Sequence, residues 1–102
     1  MMRIPKVGDW VLYTASDDDA KQVNGGGLVR SDRMRGVTMG NAVRPGQEYP
    51  MLIVQTWGSE PTSVVNGQVF LDGNDTLWVT SVAQYGADPA LTGGPQRTFR
   101  YA

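Results

Sequence analysis

Residues 69–81, VFLDGNDTLWVTS, place two carboxylates, an asparagine and a glycine between two apolar runs. Three interpretations compete for the central DGND, residues 72–75. A calcium loop of the EF-hand type spaces its ligands over about twelve residues and closes on a glutamate, but no glutamate follows Glu60. A catalytic carboxylate pair needs surroundings that control its pKa values, and no neighbouring residue pattern indicates them. Asp-Gly between two strand-like runs is typical of a hairpin turn, so the stretch predicts two antiparallel strands.

Further short strands and one helix are predicted on both sides of this hairpin. The strand-like stretches are WVLYT (10–14), EYPMLIVQTWG (48–58), VVNGQVFLDG (64–73), TLWVTSVAQY (76–85) and RTFRY (97–101). The continuous apolar run 51–54 predicts burial on both faces of its strand. Asn66-Gly67 is a possible hairpin turn, but it would leave only two residues for the strand before it. Ser16 is a natural N-cap for a helix of about two turns that ends at Asn24-Gly25.

These elements predict a mainly β protein: a small SH3-like β-barrel of four to five short strands, with one short helix after the first strand. VGDWVLY, residues 7–13, resembles the first strand of Src-homology-3-type barrels. Residues 1–102 are expected to form a single domain. Within it, residues 25–47 are a long basic connector and residues 86–102 a turn-rich C-terminal tail. Exposed strand edges and this tail predict self-association.

The composition argues against catalysis and against metal or cofactor binding. The 102 residues include no cysteine and no histidine, which removes the thiolate and imidazole groups of most metal sites and acyl-transfer sites. We therefore expect a protein that is not an enzyme and has no cofactor. The formal net charge of −1 disfavours nucleic acid as a partner. The longest apolar run, residues 51–54, is too short to cross a membrane.

Seven residues are candidates for a ligand site: Arg33, Arg35, Arg44, Tyr49, Trp57, Asp72 and Asp75. The arginines of the connector match the geometry of phosphate oxygens, since a guanidinium donates two parallel hydrogen bonds. Tyr49 or Trp57 would stack on a base, and Asp72 or Asp75 would accept hydrogen bonds from ribose or base. The alternative interpretation of the arginines is a solvated loop. For Trp10 and Trp78 we expect core and strand packing, whereas Trp57 is expected at a surface or interface.

Three stretches resemble a family of small, mostly uncharacterised proteins of tailed bacteriophages. They are VGDWVLYTASDDDAKQVN (7–24), GNAVRPGQEYPMLIVQTWG (40–58) and VNGQVFLDGNDTLWVTS (65–81), of which the last is the most specific. The resemblance implies a viral origin and a compact β-fold. Two segments depart from the family pattern: GGGLVRS (25–31), where the family usually has an Arg-rich segment, and GGPQRTFRYA (93–102) in the C-terminal tail.

Two functions follow as expectations. The first is a non-enzymatic bacteriophage accessory protein in the host cytoplasm. It would bind a small phosphorylated ligand, for example a nucleotide signal sequestered as a counter-defence, or a viral or host protein. The alternative is a minor virion component, such as a capsid-decorating or tail-associated barrel. In both cases we expect a homo-oligomer without a membrane partner.

Overall fold

The computed structural model describes residues 2–24, 31–32, 37–38, 42–73, 75–91 and 93–102, of which 31–32 and 37–38 are described as backbone only. Seven strands and one helix are present in these ranges. In chain order they are β1 (Trp10–Thr14), α1 (Asp17–Asn24), β2 (Ser31–Asp32), β3 (Val37–Thr38), β4 (Glu48–Thr56), β5 (Val65–Phe70), β6 (Thr76–Gln84) and β7 (Thr98–Arg100).

Five of the strands close into a barrel in the order β1-β4-β5-β6-β7. All neighbouring strands are antiparallel except β6 and β7, which are parallel. The predicted fold class is confirmed: a small five-stranded closed barrel with one short helix after the first strand. The short antiparallel ribbon β2-β3 lies in the predicted connector and was not expected there.

Closure of the barrel bears on the expectation that exposed strand edges drive self-association. Each barrel strand pairs with two neighbours, which leaves less free edge than an open sheet has. The contact between β6 and β7 is short, however, and covers only Ala83 and Gln84 of β6. Self-association stays a prediction.

The interior of the barrel follows the two-residue alternation of the strands. Val11 and Tyr13 of β1 point inward, as do Leu77 and Val79 of β6. The expectation that residues 51–54 are buried on both faces is wrong. Met51 and Ile53 are buried, whereas Val54 is exposed and Leu52 is half-buried, because a closed barrel covers only the inner face of each strand.

The expected core packing of Trp10 and Trp78 is also wrong. Both alternate with buried neighbours and therefore point outward, with 59% and 48% of their surfaces exposed. The interior is already filled at close range: a Cβ atom added to Gly67 would lie 2.6 Å from Met51 Sδ. Such an interior has no room for an indole ring. Trp57 is exposed, as predicted.

Helix α1 begins directly after its predicted N-cap, Ser16. Gly25, the second residue of its predicted stop, lies outside the described residues. The Oγ atom of Ser16 accepts a hydrogen bond from the Asp19 amide at 3.1 Å, and the Asp19 carboxylate accepts one from the Ser16 amide at 3.0 Å. This reciprocal pair satisfies two amides that the first helical turn leaves free. Asn24, the last helical residue, is buried.

The DGND stretch joins β5 to β6, as predicted for a hairpin. Phe70 pairs with Thr76 across the connection, so five residues form the loop. Asp72 does not adopt the positive φ of a two-residue turn. Gly67 lies inside β5, which agrees with the rejection of Asn66-Gly67 as a turn.

Candidate functional site

A cavity of about 540 Å³ lies where the end of the connector meets the β5–β6 loop. Its described lining residues are Ala42, Arg44, Gln47, Tyr49 and Asp72. Three of the seven predicted site residues, Arg44, Tyr49 and Asp72, are thus brought together, although Asp72 is distant in sequence from the other two. The volume lies within the range of about 300–1,000 Å³ that is usual for small-molecule sites.

A tight turn separates Arg44 from Gln47 on the wall of this cavity. The Gln47 amide donates to the Arg44 carbonyl at 3.2 Å, and Gly46 has a φ of 85°. Proline at the second position and a glycine with positive φ at the third are the features of a type II turn. The turn therefore brings the backbones of Arg44 and Gln47 close together.

Buried hydrogen bonds fix this wall to the rest of the protein. The Asn24 side chain donates to the Val43 carbonyl at 2.8 Å and accepts from the Val43 amide at 2.9 Å. Ala15 adds two backbone bonds, one to Gly46 at 2.8 Å and one to Gln47 at 3.0 Å. Asn24, at the end of α1, thus holds Val43, the residue before the turn. Ala15, shortly before α1, holds the turn itself.

Tyr49 contributes its hydroxyl group rather than an open ring face. It pairs with Tyr13 across β1 and β4, and only 5% of its surface is exposed. Its hydroxyl donates to Gln47 Oε1 at 3.1 Å. Because the ring belongs to the core, it offers no exposed face for stacking. The geometry supports a role in orienting Gln47 and lining the cavity.

Arg44 and Asp72 bring opposite charges to the cavity. Arg44 is exposed, and no hydrogen bond or ion pair of its guanidinium is found among the described residues. Asp72 lies in the β5–β6 loop directly after the buried Leu71, whose carbonyl accepts from the Gly73 amide at 2.8 Å. A cationic fork, a carboxylate and two neutral polar groups suit a ligand that combines an anionic group with hydrogen-bond donors.

The other predicted site residues are not assembled with these. Arg33 and Arg35 lie outside the described residues. Trp57 lies beyond the cavity and donates from Nε1 to Asn66 Oδ1 at 3.3 Å. Asp75, just before β6, is also outside the described lining.

Gln47 is the lining residue that sequence reasoning missed. Its signal is the tetrapeptide RPGQ, residues 44–47, because Pro-Gly is a strong turn dipeptide. A turn brings the residues at its two ends close together. Arg44 could therefore have pointed to Gln47.

The described ranges hold no group of three acidic side chains that could bind a metal ion. No helix within the same ranges is both long enough and apolar enough to span a bilayer. No family model, curated protein or solved structure matches this chain.

Proposed function

We propose that this protein is a non-enzymatic binding protein that captures a small phosphorylated ligand in the cavity beside Arg44. The observation that supports the proposal is the convergence of Arg44, Gln47, Tyr49 and Asp72 on one cavity of about 540 Å³. The cavity offers binding groups, and the chain has neither histidine nor cysteine for the commonest nucleophilic and acid–base chemistry.

Each lining group has a defined task in this proposal. The Arg44 guanidinium donates two hydrogen bonds to phosphate oxygens. The Asp72 carboxylate accepts from a ribose hydroxyl or an amino group of a base, which an inorganic anion lacks. The Gln47 amide, oriented by the Tyr49 hydroxyl, donates to a further ligand oxygen. A nucleotide combines all of these features.

The biological setting of the proposal comes from the resemblance to bacteriophage proteins. A small viral protein that holds a nucleotide would lower the concentration of a nucleotide signal in the infected cell. Arg33 and Arg35, in the same connector as Arg44, are proposed as further phosphate ligands. The competing proposal is a minor virion component.

Calorimetric titration with a panel of nucleoside monophosphates, nucleoside triphosphates and cyclic dinucleotides tests the proposal. Arg44→Gln should weaken binding of the best nucleotide about ten- to a hundredfold, because a hydrogen bond to a charged group contributes roughly 1.5–3 kcal/mol. Lys21→Gln is the matched control, since it removes the same charge from an exposed position on α1. Binding to the parent protein should also weaken as salt rises.

Several results would contradict the proposal. One is that no nucleotide of the panel binds the parent protein. Another is that Arg44→Gln and Lys21→Gln both bind like the parent. The triple variant Arg33→Gln/Arg35→Gln/Arg44→Gln should lose more affinity than the single variant while unfolding at a similar denaturant concentration. Stoichiometric amounts of the protein in purified virions, measured by mass spectrometry, would favour the virion component instead.

A further inference from the structure

A row of four side chains crosses the outer surface of the barrel from β1 to β6. Trp10 pairs with Leu52, Leu52 with Gln68, and Gln68 with Trp78. All four alternate with inward residues and therefore lie on the same outer surface. At about 4.8 Å between strands, the two indoles are roughly 14 Å apart along the row.

Phe70 extends this row into a continuous patch. It follows Gln68 by two positions on β5 and has the same outward direction. Its ring centroid lies 5.4 Å from that of Trp10, with the ring planes tilted by 46°. We name these five residues, Trp10, Leu52, Gln68, Phe70 and Trp78, the aromatic face.

The aromatic face carries no charge, although 19% of the residues in the chain are charged. The outward positions around it on the same strands are Leu12, Pro50, Val54, Asn66, Thr76 and Thr80. The nearest outward charge on these strands is Glu48 at the start of β4, which is paired with Arg100 of β7 at 2.8 Å. Aromatic enrichment and charge depletion distinguish the centre of a protein interface from ordinary surface.

The exposed area is large enough for a weak interface. The exposed fractions of Trp10, Trp78 and Phe70 are 59%, 48% and 39%. With about 150–250 Å² for each aromatic side chain, they expose on the order of 350 Å² together. Val54 is 43% exposed, Pro50 is exposed, and Leu12 and Leu52 are half-buried. Their exposed parts bring one copy to about 500 Å², somewhat less than the usual area for each partner. Two copies then bury about 1,000 Å² in total, which is the lower limit for a biological interface.

Gln68, in the middle of the aromatic face, lacks a hydrogen bond to one of its side-chain atoms among the described residues. Its Oε1 atom is buried and has no hydrogen-bond partner within the part of the chain that the structure describes. A carboxamide carries both a donor and an acceptor. Two copies of the same carboxamide that meet across a two-fold axis can therefore each donate to the other once the amide turns outward.

We propose that the aromatic face is the contact surface between two copies of this chain. In a two-fold dimer the same patch meets itself, so a patch with a net charge would repel its copy, whereas this uncharged one does not. The carboxamide of Gln68 can also form hydrogen bonds with the Gln68 carboxamide of the second copy, because it carries both a donor and an acceptor. Its exposed area and its lack of charge make this face suitable for contact with a second copy. The inference does not depend on the nucleotide cavity.

Sedimentation equilibrium of the parent protein and three variants tests the proposal. The parent should change from monomer to dimer between about 10 µM and 1 mM, as suits an interface at the lower size limit. Trp10→Lys and Trp78→Lys each place a charge where association would bury it, and each should weaken association at least tenfold. Leu91→Lys is the matched control, because Leu91 is 62% exposed and lies outside the aromatic face. Circular dichroism establishes that each variant is folded.

The indole N–H signals in NMR spectra provide a second measurement on the unaltered chain. The signals of Trp10 and Trp78 should shift with protein concentration. The signal of Trp57, whose N–H donates to Asn66 within the same chain, should stay constant. A parent protein that remains a monomer at 1 mM with three constant indole signals would overturn the proposal. Dimerisation that the two lysine variants leave intact would overturn it equally.

Discussion

Gly67 shows how closely single residues of the barrel interior are packed. It lies on β5 between Ile53 of β4 and Val79 of β6. A Cβ atom at this position would lie 2.6 Å from Met51 Sδ and 2.9 Å from the Leu52 carbonyl oxygen. The methionine can change its rotamer, but the carbonyl belongs to the backbone of a paired strand. Relief of this contact therefore requires a shift of β4 against β5.

Gly67→Ala should lower the free energy of unfolding by about 1–3 kcal/mol, as expected for an overpacked core. Urea denaturation followed by tryptophan fluorescence measures the loss. Gly93→Ala is the control, since a Cβ atom there meets nothing within 4 Å, and it should change the stability by less than about 0.5 kcal/mol. Equal stability of the two variants would show that β4 and β5 separate at little cost.

At the scale of the element, α1 depends on one of its three consecutive aspartates. Asp17 and Asp18 are exposed, whereas Asp19 is buried. The Asp19 carboxylate accepts hydrogen bonds from the Ser16 amide and from the hydroxyl of the fully buried Tyr13. Burial and this neighbouring carboxylate raise the pKa of Tyr13. Asp19 therefore attaches the start of the helix to the barrel core.

Asp19→Ala removes the carboxylate half of the reciprocal capping pair and leaves a buried hydroxyl without its acceptor. The first effect costs about 0.5–2 kcal/mol and the second about 1–3 kcal/mol, so we expect a loss of about 2–4 kcal/mol in urea denaturation. Asp18→Ala is the matched control because it removes the same charge from the same helical turn. If both variants lose the same stability, the effect of Asp19 is only that of a charge near the helix N-terminus.

The elements themselves could be predicted because their signals are local. Alternating apolar residues marked the strands, and capping residues marked both ends of α1. Which face of a strand is buried depends instead on what the other strands contribute to the interior. Trp10 and Trp78 were therefore assigned to the wrong face: their large apolar rings favoured burial, but Val, Met and Ile side chains already fill this narrow barrel.

The candidate site was predictable to the same extent. The side-chain chemistry of Arg44, Tyr49 and Asp72 predicts a ligand site, and the fold places these residues around one cavity. The chemistry of Trp57 and Asp75 predicts the same role, but both lie elsewhere, because the chemistry of a side chain does not determine its distance from other residues in the fold. The position of Gln47 depends on the turn at residues 44–47. A hydrogen bond between Asn24 and Val43, which are 19 residues apart in the sequence, holds the residue before this turn in place.

At the scale of the whole molecule, the two ends of the chain close the structure together. β7 pairs with β1 on one side and with β6 on the other. Directly after β7, the Tyr101 hydroxyl donates to the Asp9 carboxylate at 2.6 Å. The Arg3 guanidinium lies 4.0 Å from the centroid of the Tyr101 ring. The contacts of Tyr101 thus connect the C-terminus to the residues that precede β1.

This contact makes stability depend on alkaline pH. Burial, with a smaller contribution from the hydrogen bond to Asp9, raises the pKa of Tyr101 to about 12. In the unfolded chain the tyrosine pKa is about 10. Between these values the unfolded chain releases the proton while the folded chain retains it, so the contribution of Tyr101 to stability is complete below pH 10 and is lost as the pH rises toward 12.

Tyr101→Phe should therefore reduce the decline in stability between about pH 10 and pH 12 by the equivalent of one proton. Near neutral pH the variant should be less stable than the parent by about 1 kcal/mol, because it lacks the hydrogen bond to Asp9. Urea denaturation at half-unit pH intervals measures both effects. Asp9→Asn keeps the phenol but removes the neighbouring charge, so its decline should end at a lower pH than that of the parent. A Tyr101→Phe variant with the same slope as the parent would show that Tyr101 ionises equally in the folded and unfolded chains, and that this contact contributes no pH dependence to the closure of the barrel.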